Sequence, residues 1–325
     1  MKRRAFLSAA VGAIGSSALA RAQSASGKLI IGILHPQHSV NINMTTSVVA
    51  MRSVWQQLGY AEGETVLLRW AEGDSTRLPA LAAELIDLKV GVLIAVGPAA
   101  LRAASQKSRT TPIVAIDLET DPVRAGLVAR FGWPGGNVTG LFLDQPSIAG
   151  KWLELLREAV RDIKRIAFVW DPTTDPDQLD AAKTAAQAMG IEAQVLEVRT
   201  SEGYQEAFRK LGGDPKTGIV QLGSPLLTIP PVRFAEAALK YALPTISFFK
   251  PHAKAGALMS YGPNLEMYFP RAVIFADKIL KGAKPGELPI EQPDRFELVI
   301  NLKTANALGI TIPPTLLARA DEIIE

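Results

Sequence analysis

Apolar and polar positions along this chain keep switching between a period of two and a period near 3.6. Lys28-LIIGILHP is an apolar run of strand length, stopped by His35-Pro36. From Thr45 to Leu58, Val48, Val49, Met51, Val54, Trp55 and Leu58 fall at helical spacing, and Gly59 sits where a helix takes its C′ glycine. Glu64 to Trp70 alternates as a strand, Leu78 to Leu88 is an amphipathic helix, and Val90-GVLIAV is a fully apolar strand. Gly97-Pro98-Ala99 opens the next helix with proline at its first position, and Pro112 to Ile116 is another strand, running into the acidic loop Asp117 to Pro122. Strands alternating with helices in this way predict a doubly wound parallel sheet.

The same order then returns. Arg165-IAFVWDP repeats the first strand with its proline-terminated loop, and a helix over 180–189 ends at Gly190. A strand (192–198), a helix (204–211) and a strand (218–222) follow. Gly223-Ser224-Pro225 is read as opening a helix, as Gly97-Pro98 does, and Leu243-PTISFF parallels Thr111-PIVAID. Gly59 and Gly190, Gly97 and Gly223, and Pro112 and Pro244 lie 131, 126 and 132 positions apart, which predicts two lobes of one topology.

The C-terminal part holds too few elements for a third sheet. Ala257-LMSYGP reads as a strand, Leu265 to Leu280 as a helix and Phe296-ELVINL as a strand, one strand–helix pair for each lobe. The expected architecture is two Rossmann-like doubly wound parallel-sheet lobes joined by three hinge crossings, near Gly140, Lys254 and Glu291. Residues 28–138 and 255–290 are assigned to the first lobe, and 139–254 and 291–325 to the second. Three crossings restrict the lobes to opening and closing about one axis.

Composition changes this picture mainly at the N-terminus. The formal charge of +3 rests on Lys2, Arg3, Arg4 and Arg21; without them the 35 basic residues become 31, against 32 acidic ones. No nucleic-acid partner is therefore expected. Residues 1–22 join a basic start, an apolar run from Ala5 to Ala20 and the small-x-small pattern Ala20-Arg21-Ala22, the layout of a cleaved export signal. Arg3-Arg4-Ala5-Phe6-Leu7 points to the twin-arginine route. With no cysteine there is neither disulfide nor lipid anchor, so a free periplasmic protein, working as a monomer, is expected.

Catalytic signatures are missing: there is no G-x-S-x-G, no H-E-x-x-H, no Walker loop and no G-x-G-x-x-G after the first strand. No enzyme activity, metal or cofactor is expected. The chemistry instead gathers in loops after strands, where open α/β sheets bind ligands. His35, Gly97, Pro98, Ala99, Asp117 and Asp121 follow first-lobe strands; Trp170, Asp171, Thr174, Ser224, Phe248 and Lys250 follow second-lobe strands. Helix N-termini at Pro98, at Ser224-Pro225 and after Thr173-Thr174 would offer N–H groups to an anionic ligand group. Each residue has a structural alternative: Trp170 stacks on a ligand or closes its own strand, Asp121 meets an ammonium or forms a turn, and Ser224 binds ligand or caps. Of Phe248 and Phe249, at most one lines the cleft.

DPVRAGLV, PGGNVTG, GALMSYGP, DKILKGAKP, LPIEQP, FELVINLKTA and LGITIPPTLLARADEIIE, with LGYAEGE and RLPALAAELIDLKV, resemble the substrate-binding proteins of a bacterial ABC-transporter family that includes tryptophan- and other aromatic-amino-acid-binding members. The resemblance covers essentially the whole chain. It implies a type I periplasmic binding fold that closes on a small polar organic ligand, aromatic or amino-acid-like, and delivers it to a membrane permease with its ATPase. Where the family commonly has Gly-Thr-Pro-Ala this chain has Val96-Gly97-Pro98-Ala99, and the family's Asn-Pro after the first strand of the second lobe is Asp171-Pro172 here, which adds a charge. A ligand sensor presenting its closed form to a receptor, and a secreted α/β enzyme, are the competing readings.

Overall fold

The computed structural model describes residues 29–42, 45–143, 145–212, 214 and 216–325. The export signal expected over residues 1–22 lies outside them. Among the described residues, twelve strands form two sheets. The first contains β1 (Ile31–His35), β2 (Val66–Trp70), β3 (Val92–Val96), β4 (Ile113–Ile116) and β5 (Val138–Leu141), in the order β2-β1-β3-β4-β5 and parallel throughout. The second contains β6 (Arg165–Trp170), β7 (Glu192–Glu197), β8 (Thr217–Gln221), β9 (Thr245–Ser247), β10 (Met259–Pro263), β11 (Phe296–Asn301) and β12 (Glu322–Ile324). Its order is β12-β11-β10-β9-β8-β6-β7, with β10 and β11 the antiparallel pair. Reading β7-β6-β8-β9-β10 against β2-β1-β3-β4-β5 gives the repeat that the glycine and proline spacings indicate.

Each central strand is buried on both faces because helices cover both sides of the sheet. Leu34, Leu85, Leu93, Leu101 and Phe142 pack one face of the first lobe, and Val169, Tyr204, Phe208, Phe234 and Leu243 one face of the second. A third cluster runs unbroken through the hinge, from Ile33, Trp55 and Ile94 by way of Leu141, Trp152 and Phe248 to Phe168. There the rings of Trp152 and Phe248 meet edge to face at 5.7 Å, and Trp152 Nε1 donates to the Tyr261 carbonyl at 2.8 Å.

The crossings fall after the strands that were expected to follow them. Val138–Leu141 pairs with β4 in the first sheet, and Met259–Pro263 pairs with β9 in the second, so residues 139–141 and 255–263 sit opposite to the lobes assigned above. The physical reason is close backbone approach. A Cβ on Gly140 would lie 2.2 Å from the Ala115 carbonyl oxygen, and one on Gly262 2.0 Å from that of Phe248. Each glycine lets its strand seat against the strand before it and satisfy that ladder before the chain leaves. The chain then changes lobes: helix Gln145–Ala159 packs on second-lobe elements, and helix Leu265–Leu280 packs on helix Thr46–Gln57, β3, β4 and β5. The third connection is tied to the first, since Glu291 N–H donates to Gly140 and Phe142 N–H donates back to Glu291.

A second difference lies after β8. Ser224-Pro225 does not open a helix; the next helix, Pro231–Lys240, begins six residues later. Ser224 Oγ accepts from the N–H groups of Leu226 and Leu227, which folds the segment into a turn.

Candidate functional site

Between the two lobes lies a cavity of about 610 Å³, within the range of small-molecule sites. Its first-lobe wall uses the C-terminal ends of three strands: His35 of β1, Val96 of β3, and Ile116, Leu118 and Glu119 of β4 and its loop. Two helix N-termini complete that wall, Thr45-Thr46-Ser47 at helix Thr46–Gln57 and Asn264-Leu265-Glu266 at helix Leu265–Leu280. Asn264 caps its own helix, its side chain accepting from Glu266 and Met267 N–H. The second lobe contributes Pro225, Thr228 and Ile229 from the turn after β8, and Phe249, Lys250 and Lys254 from the end of β9 and the short helix behind it. The wall is mostly apolar, with polar groups at a few points, as suits a small organic ligand.

Burial sets the charge of these groups. His35 is 3% exposed and its ring lies 5.0 Å from that of Trp70. Desolvation lowers its pKa to about 3, so it is neutral at physiological pH. Its Nδ1 accepts from Gln37 N–H at 3.1 Å, which leaves the proton on Nε2 as a donor. Glu119 is also 3% exposed; burial, and then the charge of Asp117, raise its carboxyl well above the usual range. Asp117 is raised to about 6, again by burial first, against hydrogen bonds from Thr120 and the N–H groups of Glu119 and Thr120. Lys250 Nζ, on the opposite wall, is held by Glu322 at 2.8 Å and Glu297 at 3.1 Å.

The turn after β8 is braced from beneath. Tyr204 Oη donates to the Leu227 carbonyl at 3.1 Å, and Gln221 Nε2 donates to Tyr204 Oη at 2.7 Å. His252, whose pKa burial lowers to about 4, places Nε2 3.3 Å from the same carbonyl and Nδ1 2.7 Å from Ser247 Oγ. This network fixes Thr228 and Ile229 at the cavity wall.

Of the residues expected at a ligand, His35 and Lys250 line the cavity. Gly97, Pro98, Ala99 and Thr174 do not: the first three, from the first lobe, meet Thr174 and Pro225 of the second and leave a space of only about 10 Å³. Asp117 lies beneath the cavity, its Oδ1 accepting from its own loop. Asp121 Oδ1 accepts from Val123 and Arg124 N–H, a turn, while its N–H donates to Asp177 of the other lobe at 2.9 Å. Asp171 accepts from Thr173 and, at 2.6 Å, from Ser224 Oγ, so these two hold each other. Trp170 packs half-buried on the core, closing its own strand. Phe248, expected at the ligand, is instead fully buried against Trp152; its neighbour Phe249, which precedes the short helix after β9, lines the cavity.

Around the cavity the lobes are in direct contact. Arg102 pairs with Asp175 at 2.8 Å, Thr120 donates to Asp175 at 2.9 Å, and Arg124 reaches Asp177 at 3.0 Å and Asp180 at 3.4 Å. The Gln37 side-chain amide donates to the Pro225 carbonyl.

Sequence reading missed Glu119, Thr46, Ser47, Asn264 and Phe269 as wall residues. Thr45-Thr46-Ser47 and Asn264 carry the polar signature that precedes a helix, which was the available signal. Among the described residues, no three His, Asp or Glu side chains converge as a metal ligand set, and no helix is long and apolar enough to cross a membrane.

Comparison with known proteins agrees with this geometry. The chain is similar to the tyrosine-binding protein of Clostridioides difficile (strain R20291), with 26% identity over 256 residues, 78% of this chain and 73% of that protein. Its fold is similar to that of an ABC domain in complex with L-Trp from Streptococcus pneumonia (TM-score 0.81, 20% identity, covering 91% of this chain and 100% of that one). It is also similar to the ligand-free, open form of a substrate-binding protein with adhesive properties from Clostridium difficile (TM-score 0.61, 22% identity, 90% and 98% covered). The family model for ABC transporter substrate binding proteins matches residues 43–324. With its two parallel-sheet lobes of the type I periplasmic binding fold and the cavity between them, this chain belongs to the family of ABC transporter substrate-binding proteins.

Proposed function

We propose that this protein is the capture component of an ABC importer, and that it takes up an aromatic amino acid, or a close analogue, by closing its lobes. The observation that carries this reading is the cavity of about 610 Å³ walled by both lobes. A ligand held by only one lobe would not shift the open–closed balance, because the shift equals the difference in its affinity for the two states. His35 Nε2–H and the N-terminus of helix Thr46–Gln57 suit a carboxylate, the latter through the positive end of its dipole. Phe249 and Phe269, one from each lobe, offer apolar faces for an aromatic ring. The similarity to a tyrosine-binding protein and to an L-Trp-bound domain points the same way. So does the higher TM-score to the L-Trp complex than to the open, ligand-free structure, in keeping with a closed arrangement.

In this role the segment 1–22 directs export, and the mature chain works in the periplasm beside a permease and its ATPase. Thermal-shift screening of the mature protein tests the reading. L-tyrosine, L-tryptophan or L-phenylalanine should raise the melting midpoint by several degrees at millimolar concentration, as mass action requires for a ligand of the native state. Stabilisation by sugars or metal ions alone would contradict it.

A further inference from the structure

Glu119 stands apart from the other polar wall residues because it is covered by the opposite lobe. It leaves the loop after β4 and presses on the backbone at Gly223, beyond the end of β8. A methyl added to Gly223 would lie 2.8 Å from Glu119 Oε1 and 3.2 Å from its Cγ. Gln178 of the second lobe lies beside this contact and accepts from Gly223 N–H. Only the closed arrangement brings these groups together, so closure is what takes this carboxylate out of water.

Leu118 N–H donates to Glu119 Oε2 at 3.1 Å, and beyond that one bond the surroundings do not compensate a negative charge there. Among the described residues, no lysine or arginine pairs with Glu119. On its own loop stands Asp117, whose Oδ2 is buried without a hydrogen-bond partner. From β6 comes Asp171, bound to Ser224 and Thr173. Asp175, Asp177 and Asp180 add further negative charge, and the nearby cations, Arg102 and Arg124, are committed to them. Across the cavity His35 is neutral, Lys250 is held by Glu297 and Glu322, and Lys254 also pairs with Glu322.

We propose that Glu119 makes closure conditional on positive charge: the lobes shut over its carboxylate when a proton, or the ammonium group of a ligand, neutralises it. This rests on the reading that the lobes close on a ligand in this cavity. In the ligand-free closed form the proton remains on the buried carboxyl, in line with the upward shifts at Glu119 and Asp117. A ligand ammonium replaces that proton and releases it to solvent. The site would then select amino acids over their des-amino analogues at alkaline pH, and lose that preference in acid.

The absence of cysteine allows two dyes to be placed cleanly, at Lys107→Cys on the first lobe and Lys183→Cys on the second, both exposed positions. Energy transfer between them reports closure of the full mature chain without any ligand. As pH falls from 8 to 5, the closed-to-open ratio should rise, by at most about tenfold per pH unit, the limit for uptake of one proton. In Glu119→Gln, a neutral isostere, the ratio should be high and flat across that range. In Gly223→Ala, whose backbone lies outside the left-handed region, the added methyl should shift the ratio toward open at every pH. A flat wild-type titration would overturn the proposal. So would a Glu119→Gln variant that still titrates while Asp117→Asn does not, which would place the charge on Asp117. With L-tyrosine as probe, calorimetry in phosphate and in Tris at pH 7 should show about one proton released per ligand in the wild type and none in Glu119→Gln. Failure of L-tyrosine to bind would count against the proposed function, while the ligand-free titration would still decide the role of Glu119.

Discussion

Two regions of the interlobe cleft are both built from C-terminal strand ends and differ in what they leave room for. Beside β3 and β6, Gly97, Pro98, Ala99, Thr173 and Thr174 meet Pro225 with almost no space between them. Beside β1, β4 and β9, His35, Glu119, Phe249 and Lys250 stand back from one another and enclose the cavity. The first region is a seam, whose polar side chains tie loops and lobes together; the second is a container. A place at a strand's C-terminal end therefore brings a residue to the cleft but does not make it a ligand contact. Its role depends on whether the other lobe fills the space in front of it.

Substitutions can break this division, and the largest effect is expected in the core behind the container. Phe248→Ala should cost about 3–5 kcal/mol of stability, seen as a large fall in denaturant midpoint, because it empties a fully buried site against Trp152. Next comes the container. Ala255→Trp, which projects a ring into the cavity, should weaken aromatic amino-acid binding by about 100-fold or more, near 2.7 kcal/mol. The melting midpoint without ligand should move little, since Ala255 is only partly buried.

The seam should respond more gently. Arg124→Ala removes ion pairs to Asp177 and Asp180, but its side chain is 60% exposed and salt screens it. A loss of about 0–1 kcal/mol is expected, at most about fivefold in affinity, fading at high salt in titration calorimetry. Smallest of all is Trp170→Phe: as a strand-closing side chain outside the cavity, it should leave affinity within about twofold. A tenfold loss there would move Trp170 from seam to container.

The acidic floor adds a pH dependence with a definite sign. Asp117 has a folded pKa of about 6 against an ordinary 3.8, so its proton favours the folded chain. The stability it contributes is complete below about 3.8 and disappears as pH rises through about 6. The melting midpoint of the ligand-free protein should therefore be higher at pH 5 than at pH 8, and Asp117→Asn should reduce that difference without abolishing it, because Glu119 is raised in the same direction.

Much of the fold was legible because strand and helix periods alternate strongly and recur at a nearly constant offset. Which sheet a strand joins was not legible in the same way. Val138–Leu141 and Met259–Pro263 are short strands of mixed polarity that either lobe could accept, and close approach at Gly140 and Gly262 decides between them. The site was legible in part. His35 and Lys250 end up at the wall because strand ends converge there, whereas Phe248 is buried and its neighbour Phe249 takes the cavity position, both lying past the end of β9. Asp171 and Ser224 look like ligand groups in sequence, yet they satisfy each other across 53 positions, a partnership that no local pattern reveals. Asn264 and Phe269 reach the first-lobe wall from the last quarter of the chain, by a crossing whose placement depends on strand pairing.

The most direct measurement of the central claim is a crystal structure of the mature protein grown with L-tryptophan or L-tyrosine. The account predicts closed lobes, the ring between Phe249 and Phe269, the carboxylate near His35 and the N-terminus of helix Thr46–Gln57, and the ammonium at Glu119. A ligand seated at the Gly97–Thr174 seam, or lobes that close with the cavity empty and the ligand elsewhere, would contradict it.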